Sequence, residues 1–300
     1  VKAYVTLAVG VLSVSFAAIF IRLADAPPLV IATYRLAIAS FILIPVALAR
    51  SAKSRAALSR RDRLFLLLAS LFLALHFALW ITSLSYTSIP SSVVLVTCHP
   101  AFVAIVSYLL WGERLGKLAV GGIVVALAGV VLINYGGFTF GRQAVLGNLL
   151  ALVAAFSMGA YLLIGGQLRA RIDLLLYLTS IYTGAAVILL LAAIGSGQHL
   201  FGYSPMTYSM MVLLALVPQL IGHSSLNVAI RLMPVILVSV AILGEPVGAT
   251  LLGYFILGEA PTVNEIWGGL LILGGIFIVM RQRHDRVDRP SSPLHGLDSG

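Results

Sequence analysis

Charge is what this sequence has least of. Only 10% of its 300 residues are Asp, Glu, Lys or Arg, against about a quarter in a soluble domain. That scarcity excludes an ordinary water-soluble fold. No polar stretch between the apolar runs is long enough to form a separate soluble domain. Cysteine is nearly absent: Cys98 is the only one, so an internal disulfide is excluded. Acidic residues are fewer than basic ones, ten against nineteen, for a net charge of +9. The basic residues fall in short clusters between greasy segments, a pattern set by membrane topology. No nucleic-acid partner is expected. His-Glu-x-x-His and Gly-x-Ser-x-Gly are both missing. No catalysis, cofactor or metal is therefore expected, although His76, His99, His223 and Glu245 are residue types that bind metal.

What the chain has in abundance is apolar runs, and 60% of it is hydrophobic. A helix needs roughly 20 apolar residues to cross a bilayer. Ten segments qualify, at about 3–22, 29–49, 63–84, 89–111, 117–135, 145–166, 173–194, 207–228, 234–257 and 263–281. Hydrocarbon offers backbone groups no partner, and these runs are too long and uniformly apolar for barrel strands, so they must be helices. The first run, with Lys2 before it and "ADA" at 24–26 after it, superficially resembles a signal peptide. Its length and its partner later in the chain predict that it is retained. Counting Lys and Arg in alternate connections puts sixteen on one side and two on the other, with Arg35 inside a span. The positive-inside rule then predicts cytoplasmic termini.

The chain also matches itself. At a shift of 146 residues, His99-Pro100 falls on Glu245-Pro246, Tyr108 on Tyr254, and Gly112-Glu113 on Gly258-Glu259. Gly122 falls on Gly268, Gly129 on Gly275 and Thr33 on Thr179; "SVSFAA" (13–18) lies against "AFSMGA" (155–160) at a shift of 142. The halves are spans 1–5 and 6–10. Five is odd, so the second half enters the membrane from the opposite side. The expected fold is an all-α polytopic membrane protein of ten transmembrane helices in two inverted five-helix repeats. Residues 1–144 form the first and 145–281 the second, followed by a disordered cytoplasmic tail, 282–300. Secondary transporters share this design, with a substrate site near the midplane between the repeats.

The doubled P-x7-Y-x3-G-E pattern with its trailing glycines, together with Arg35 and Glu245-Pro246, resembles the drug/metabolite transporter superfamily, in its EamA-type branch. The chain is similar above all to the YddG-type exporters of aromatic amino acids. The resemblance covers the chain to about Met280. It implies an inner-membrane exporter of amino acids, aromatic ones foremost, with methionine and threonine also in range. Alternating access about a central site would drive it. The competing readings are an exporter of other metabolites or drugs on the same scaffold and, further off, an intramembrane enzyme. Besides the lipid bilayer, a small-molecule substrate is the expected partner; the oligomeric state is open, and a monomer is compatible.

Ionisable side chains at bilayer depth are costly, roughly 2.5–3.5 kcal/mol on insertion scales, and face protein or water. His99 and Glu245 lie near mid-membrane at repeat-related positions. They form either a polar centre for substrate or protons, or a pair satisfied by neighbouring helices. Pro100 and Pro246 beside them each remove a helix hydrogen bond and act as candidate kinks or hinges. On the third span His76, Trp80 and Ser83 recur at i, i+4 and i+7. On the eighth Gln219, His223 and Asn227 recur at i, i+4 and i+8. Each set falls on one helical face and is expected to line a cavity. Tyr161, with Tyr34, Tyr182 and Phe77, offers aromatic surface. Arg35 either binds a substrate carboxylate or holds a helix interface; a lone deep arginine argues against phosphate-bearing substrates. Glu113 and Glu259 are expected to cap the next helix or anchor the turn. The paired glycines at seven-residue spacing are expected to permit close packing, within the chain or between chains.

Overall fold

The computed structural model describes residues 1–50, 58–83, 85–135, 141–169, 171–258 and 260–287. All regular structure among these residues is helical. The first half comprises α1 (Lys2–Leu23), α2 (Pro28–Arg50), α3 (Arg60–Ser83), α4 (Ile89–Val96), α5 (His99–Trp111) and α6 (Lys117–Ile133). The second comprises α7 (Arg142–Arg169), α8 (Leu174–Gly195), α9 (Pro205–Leu214), a π-helical stretch (Ala215–His223) and α10 (Ser224–Leu232). It continues with α11 (Val235–Ile242), α12 (Glu245–Leu252), a π-helical turn (Gly253–Leu257) and α13 (Val263–Val287). α4–α5, α9–α10 and α11–α12 each make one broken span. Among the described residues nine spans are long and apolar enough to cross a membrane; α6, at 17 residues, is the short tenth.

Residues 51–57, 136–140 and 288–300, with Glu259, lie outside the described residues, and so does most of the tail expected to be disordered. α13 runs on to Val287, six residues past the expected end of the last span. Large apolar side chains such as Phe41, Leu109 and Phe255 are exposed, as they must be on a surface solvated by lipid.

The packing repeats itself with the halves exchanged. α1 lies against α9–α10 and α12, and its counterpart α7 lies against α3 and α4–α5. α2 packs along α8, its own counterpart, and α6 along α13. This last pair is antiparallel and meets backbone to backbone. A Cβ on Gly129 would stand 2.5 Å from the Gly268 carbonyl oxygen, and one on Gly275 would stand 2.5 Å from that of Gly122. The two contacts exchange under the 146-residue shift, as a two-fold axis between inverted halves requires. The glycine pairs therefore serve packing within the chain.

The other repeated glycines have a different cause. Gly112 ends α5 with φ 68° and Gly258 ends the ninth span with φ 70°. Both are left-handed helix stops, a conformation that side chains with a Cβ rarely adopt. Glu113 does not cap α6: the N-cap is Gly116, and Glu113 stays exposed in the turn.

Candidate functional site

Proline shapes the centre of the molecule. Pro100 and Pro246 each occupy the second position of a new helix, after the chain leaves regular α-helix at Thr97-Cys98 and Leu243-Gly244. A proline inside a continuous helix would clash with the carbonyl four residues back; here the helix restarts instead. The freed amides turn to nearer carbonyls: Cys98 N–H donates to Leu95 and Gly244 N–H to Ala241. His99 and Glu245 become the first residues of α5 and α12. A helix N-terminus favours negative charge, which suits the carboxylate of Glu245.

These breaks open onto a cavity between the halves. Of the residues expected from sequence, Arg35, His76, Trp80, His99, His223, Glu245 and Pro246 line it. Phe77, expected to offer aromatic surface, lines it as well, and Thr97 joins them, with Val14 and Ala17 of α1 and Met158 of α7.

Arg35 is held from two sides. Its guanidinium carbon sits 4.5 Å from the centroid of the Phe77 ring, and its Nε donates to Gln219 Oε1 at 2.7 Å. A cation–π contact contributes on the order of 1 kcal/mol, too little by itself to hold a cation buried to this degree. Among the described residues only Nε is hydrogen-bonded, so the far edge of the guanidinium has no hydrogen-bond partner among them. Glu245 is partly exposed to the cavity and makes no hydrogen bond or ion pair among the described residues. Arg35 and Glu245 thus face one space without bonding each other.

The aromatic wall is continuous. His76 stacks on Trp80 (centroids 6.0 Å apart, planes 15° apart), and His223 meets Phe77 edge-on at 5.7 Å. His76 Nδ1 donates to the Ala154 carbonyl at 3.1 Å, which leaves Nε2 as an acceptor on a neutral ring. Nδ1 of His99 lies 3.4 Å from the Ser239 hydroxyl. The Trp80 indole N–H is buried without a partner.

Four expected residues stand behind the wall. Gln219 is fully buried and supports Arg35. Asn227 Nδ2 donates to the Tyr161 hydroxyl and to the His223 carbonyl, each at 2.7 Å. Tyr161 is buried in that contact. Ser83 donates to the Trp80 carbonyl and pairs with Ser92, each at 2.6 Å. Pro100 shapes the break without lining the cavity. Tyr34 lies apart, donating to the Leu200 carbonyl at 2.9 Å, and Tyr182 is buried near Ser224.

The eighth span departs from simple helical spacing because Ala215–His223 is π-helical, with Pro218 inside it. Hydrogen bonds to i+5 instead of i+4 turn each following side chain off the α-helical stripe. Gln219 and Asn227 bond to protein while His223 lines the cavity. Pro218 was the available sign of that irregularity. Val14 and Ala17 carried no signal beyond small size. Among the described residues no three His, Cys, Asp or Glu side chains gather closely enough to hold a metal.

Two inverted sets of five membrane helices around a central, largely apolar cavity that holds a few ionisable side chains, each half with a broken helix, define a membrane transporter. The model of the EamA-like transporter family matches the chain twice, over residues 1–135 and 145–281, and the chain belongs to that family. It is 26% identical to the uncharacterized transporter YdfC of Bacillus subtilis (strain 168) over 182 residues, 61% of this chain and 59% of that protein. YvbV of the same organism, also an uncharacterized transporter, is 32% identical over 151 residues, 50% of this chain and 48% of that protein. An uncharacterized transporter of Clostridium kluyveri is 24% identical over 251 residues, covering 80% of this chain and 79% of its own. The chain thus aligns with about half to three-fifths of the first two. A solved crystal structure shares the fold with TM-score 0.81 at 21% identity, covering 96% of this chain and 99% of its own.

Proposed function

We propose that this transporter exports amino acids, aromatic ones foremost, across the bacterial inner membrane by alternating access. Its termini face the cytoplasm and its site is the cavity between the halves, residues 1–144 and 145–281. One observation carries the reading: the Arg35 guanidinium and the Glu245 carboxyl group line one cavity with no direct bond between them. A zwitterion answers both, its carboxylate on the open edge of Arg35 and its ammonium on Glu245. Their repeat counterparts, Ile181 and His99, carry no such fixed pair, so the arrangement belongs to the substrate and not to the symmetry. The Phe77, His76 and Trp80 rings supply an aromatic wall for a ring-bearing side chain. Methionine, long and polarizable, suits the same wall.

Purified protein in liposomes is expected to move radiolabelled phenylalanine or tryptophan. Unlabelled aromatic amino acids should compete, whereas the decarboxylated amine and the deaminated acid should compete weakly. Equal competition by neutral apolar drugs, with none by amino acids, overturns the substrate and leaves a metabolite or drug exporter on the same scaffold.

A further inference from the structure

The second deeply buried arginine is not part of the central cavity. Arg169 ends α7 and is 1% exposed. Its guanidinium carbon lies 4.8 Å from the centroid of the Tyr177 ring, and Nη1 donates to the Ile172 carbonyl at 3.1 Å. Among the described residues Nε and Nη2 are buried with no hydrogen-bond partner, and so is Asn227 Oδ1 nearby. Leaving buried polar groups unpaired is costly, more so when they are charged, so such groups call for an explanation.

Position supplies one. Tyr177, Tyr161 and Asn227 lie between Arg169 and the cavity: Gly165 is close to both the Tyr177 hydroxyl and Asn227, and Asn227 bonds Tyr161 and the backbone of cavity-lining His223. At the same end, Arg171 pairs with Asp62 at 3.0 Å. A crevice lined by Trp111, Glu113, Gly166, Gln167 and Met233 among others adjoins α7 and the end of α10. The repeat counterparts of Tyr161 and Tyr177, Ile19 and Ile31, are apolar, so the opposite end has no equivalent polar cluster.

We propose that Arg169, with Tyr177 and Asn227, is a second carboxylate-binding site. It works when the end of the bundle bearing Arg169 is open, and it receives the substrate before Arg35 does. The inference rests on the amino-acid reading above. In the closed arrangement the fork of Arg169 is left without an acceptor; opening the crevice admits a carboxylate that satisfies Nε and Nη2 together, the bidentate geometry arginine favours.

The test is phenylalanine transport measured from each face of the membrane, in right-side-out and inverted vesicles. Arg169→Gln should raise KM at least tenfold from the face bearing Arg169. From the opposite face KM should stay within about twofold, with the loss appearing in kcat. Arg169→Lys keeps the charge without the fork and should raise KM on the same face by less; if Arg169→Gln does not fold, this one-sided rise decides. Unchanged KM at both faces, or KM moving together at both, overturns the inference and leaves Arg169 structural. Wild-type protein that moves no amino acid overturns the functional reading itself, a result distinct from either.

Discussion

At the residue scale, the useful distinction is between side chains that face the cavity and side chains that hold those that do. Arg35 and Glu245 face it with unfilled hydrogen-bonding capacity; Gln219 and Asn227 stand behind. Substituting Arg35→Gln or Glu245→Gln should therefore reduce amino-acid flux at least tenfold while the protein remains folded, because each removes one charge partner of a zwitterion. Tyr34→Phe, distant from the cavity, should leave flux within about twofold. Proteoliposome transport alongside a thermal-unfolding measurement checks both. Of the candidates, His76, Trp80, His99, His223, Arg35 and Glu245 were legible because an ionisable or polar group at bilayer depth must face something other than lipid. That rule does not say whether the something is a cavity or another helix, and Gln219, Asn227, Ser83 and Tyr161 fell on the other side of that division.

At the element scale, α6 and α13 rely on the absence of side chains. Gly122, Gly129, Gly268 and Gly275 let two backbones touch, and no Cβ fits at any of them. Gly121 sits next door, and a Cβ there meets nothing within 4 Å. Gly129→Val should thus destabilise the protein by on the order of 1–3 kcal/mol or more, the cost of overpacking, whereas Gly121→Val should be nearly neutral. Melting temperatures in one detergent would compare them, and equal losses would refute the packing. Glycine at seven-residue spacing announced a close approach; the identity of the partner helix lay in the antiparallel crossing at the two-fold axis. The breaks at Cys98 and Gly244 were legible from the prolines, but the π-helical stretch in the eighth span was not, since its single proline also fits an ordinary kink.

At the scale of the whole molecule, the two halves meet as exchanged copies, and their differences carry the chemistry. Glu245 replaces His99, Arg35 replaces Ile181, and the polar Arg169 cluster has an apolar counterpart. Inverted halves of equal packing let either end close around the same centre; under the proposal above, unequal side chains would let the two ends treat substrate differently. The distribution of basic residues predicts one sidedness for this scaffold. A cytoplasm-active reporter fused to either terminus should be active, and a thiol placed in the 195–204 connection of a Cys98→Ser background should react with an impermeant reagent from outside. The reverse labelling would overturn the orientation.

By itself the sequence determined the solvent, the number of crossings and the duplication. Those follow from one-dimensional quantities: the length of apolar runs, the alternation of basic connections and the constant shift between matching residues. It also determined where the backbone must break or stop, because proline and left-handed glycine act locally. Only the tertiary structure decided which polar groups share a space. His76, Arg35, His223 and Glu245 come from four different spans, and their meeting depends on helix rotation and crossing, including the π-helical shift around Gln219. Helical periodicity gives a face, and packing gives that face its neighbour. For the same physical reason the buried, unpaired fork of Arg169 emerged only once its surroundings were assembled.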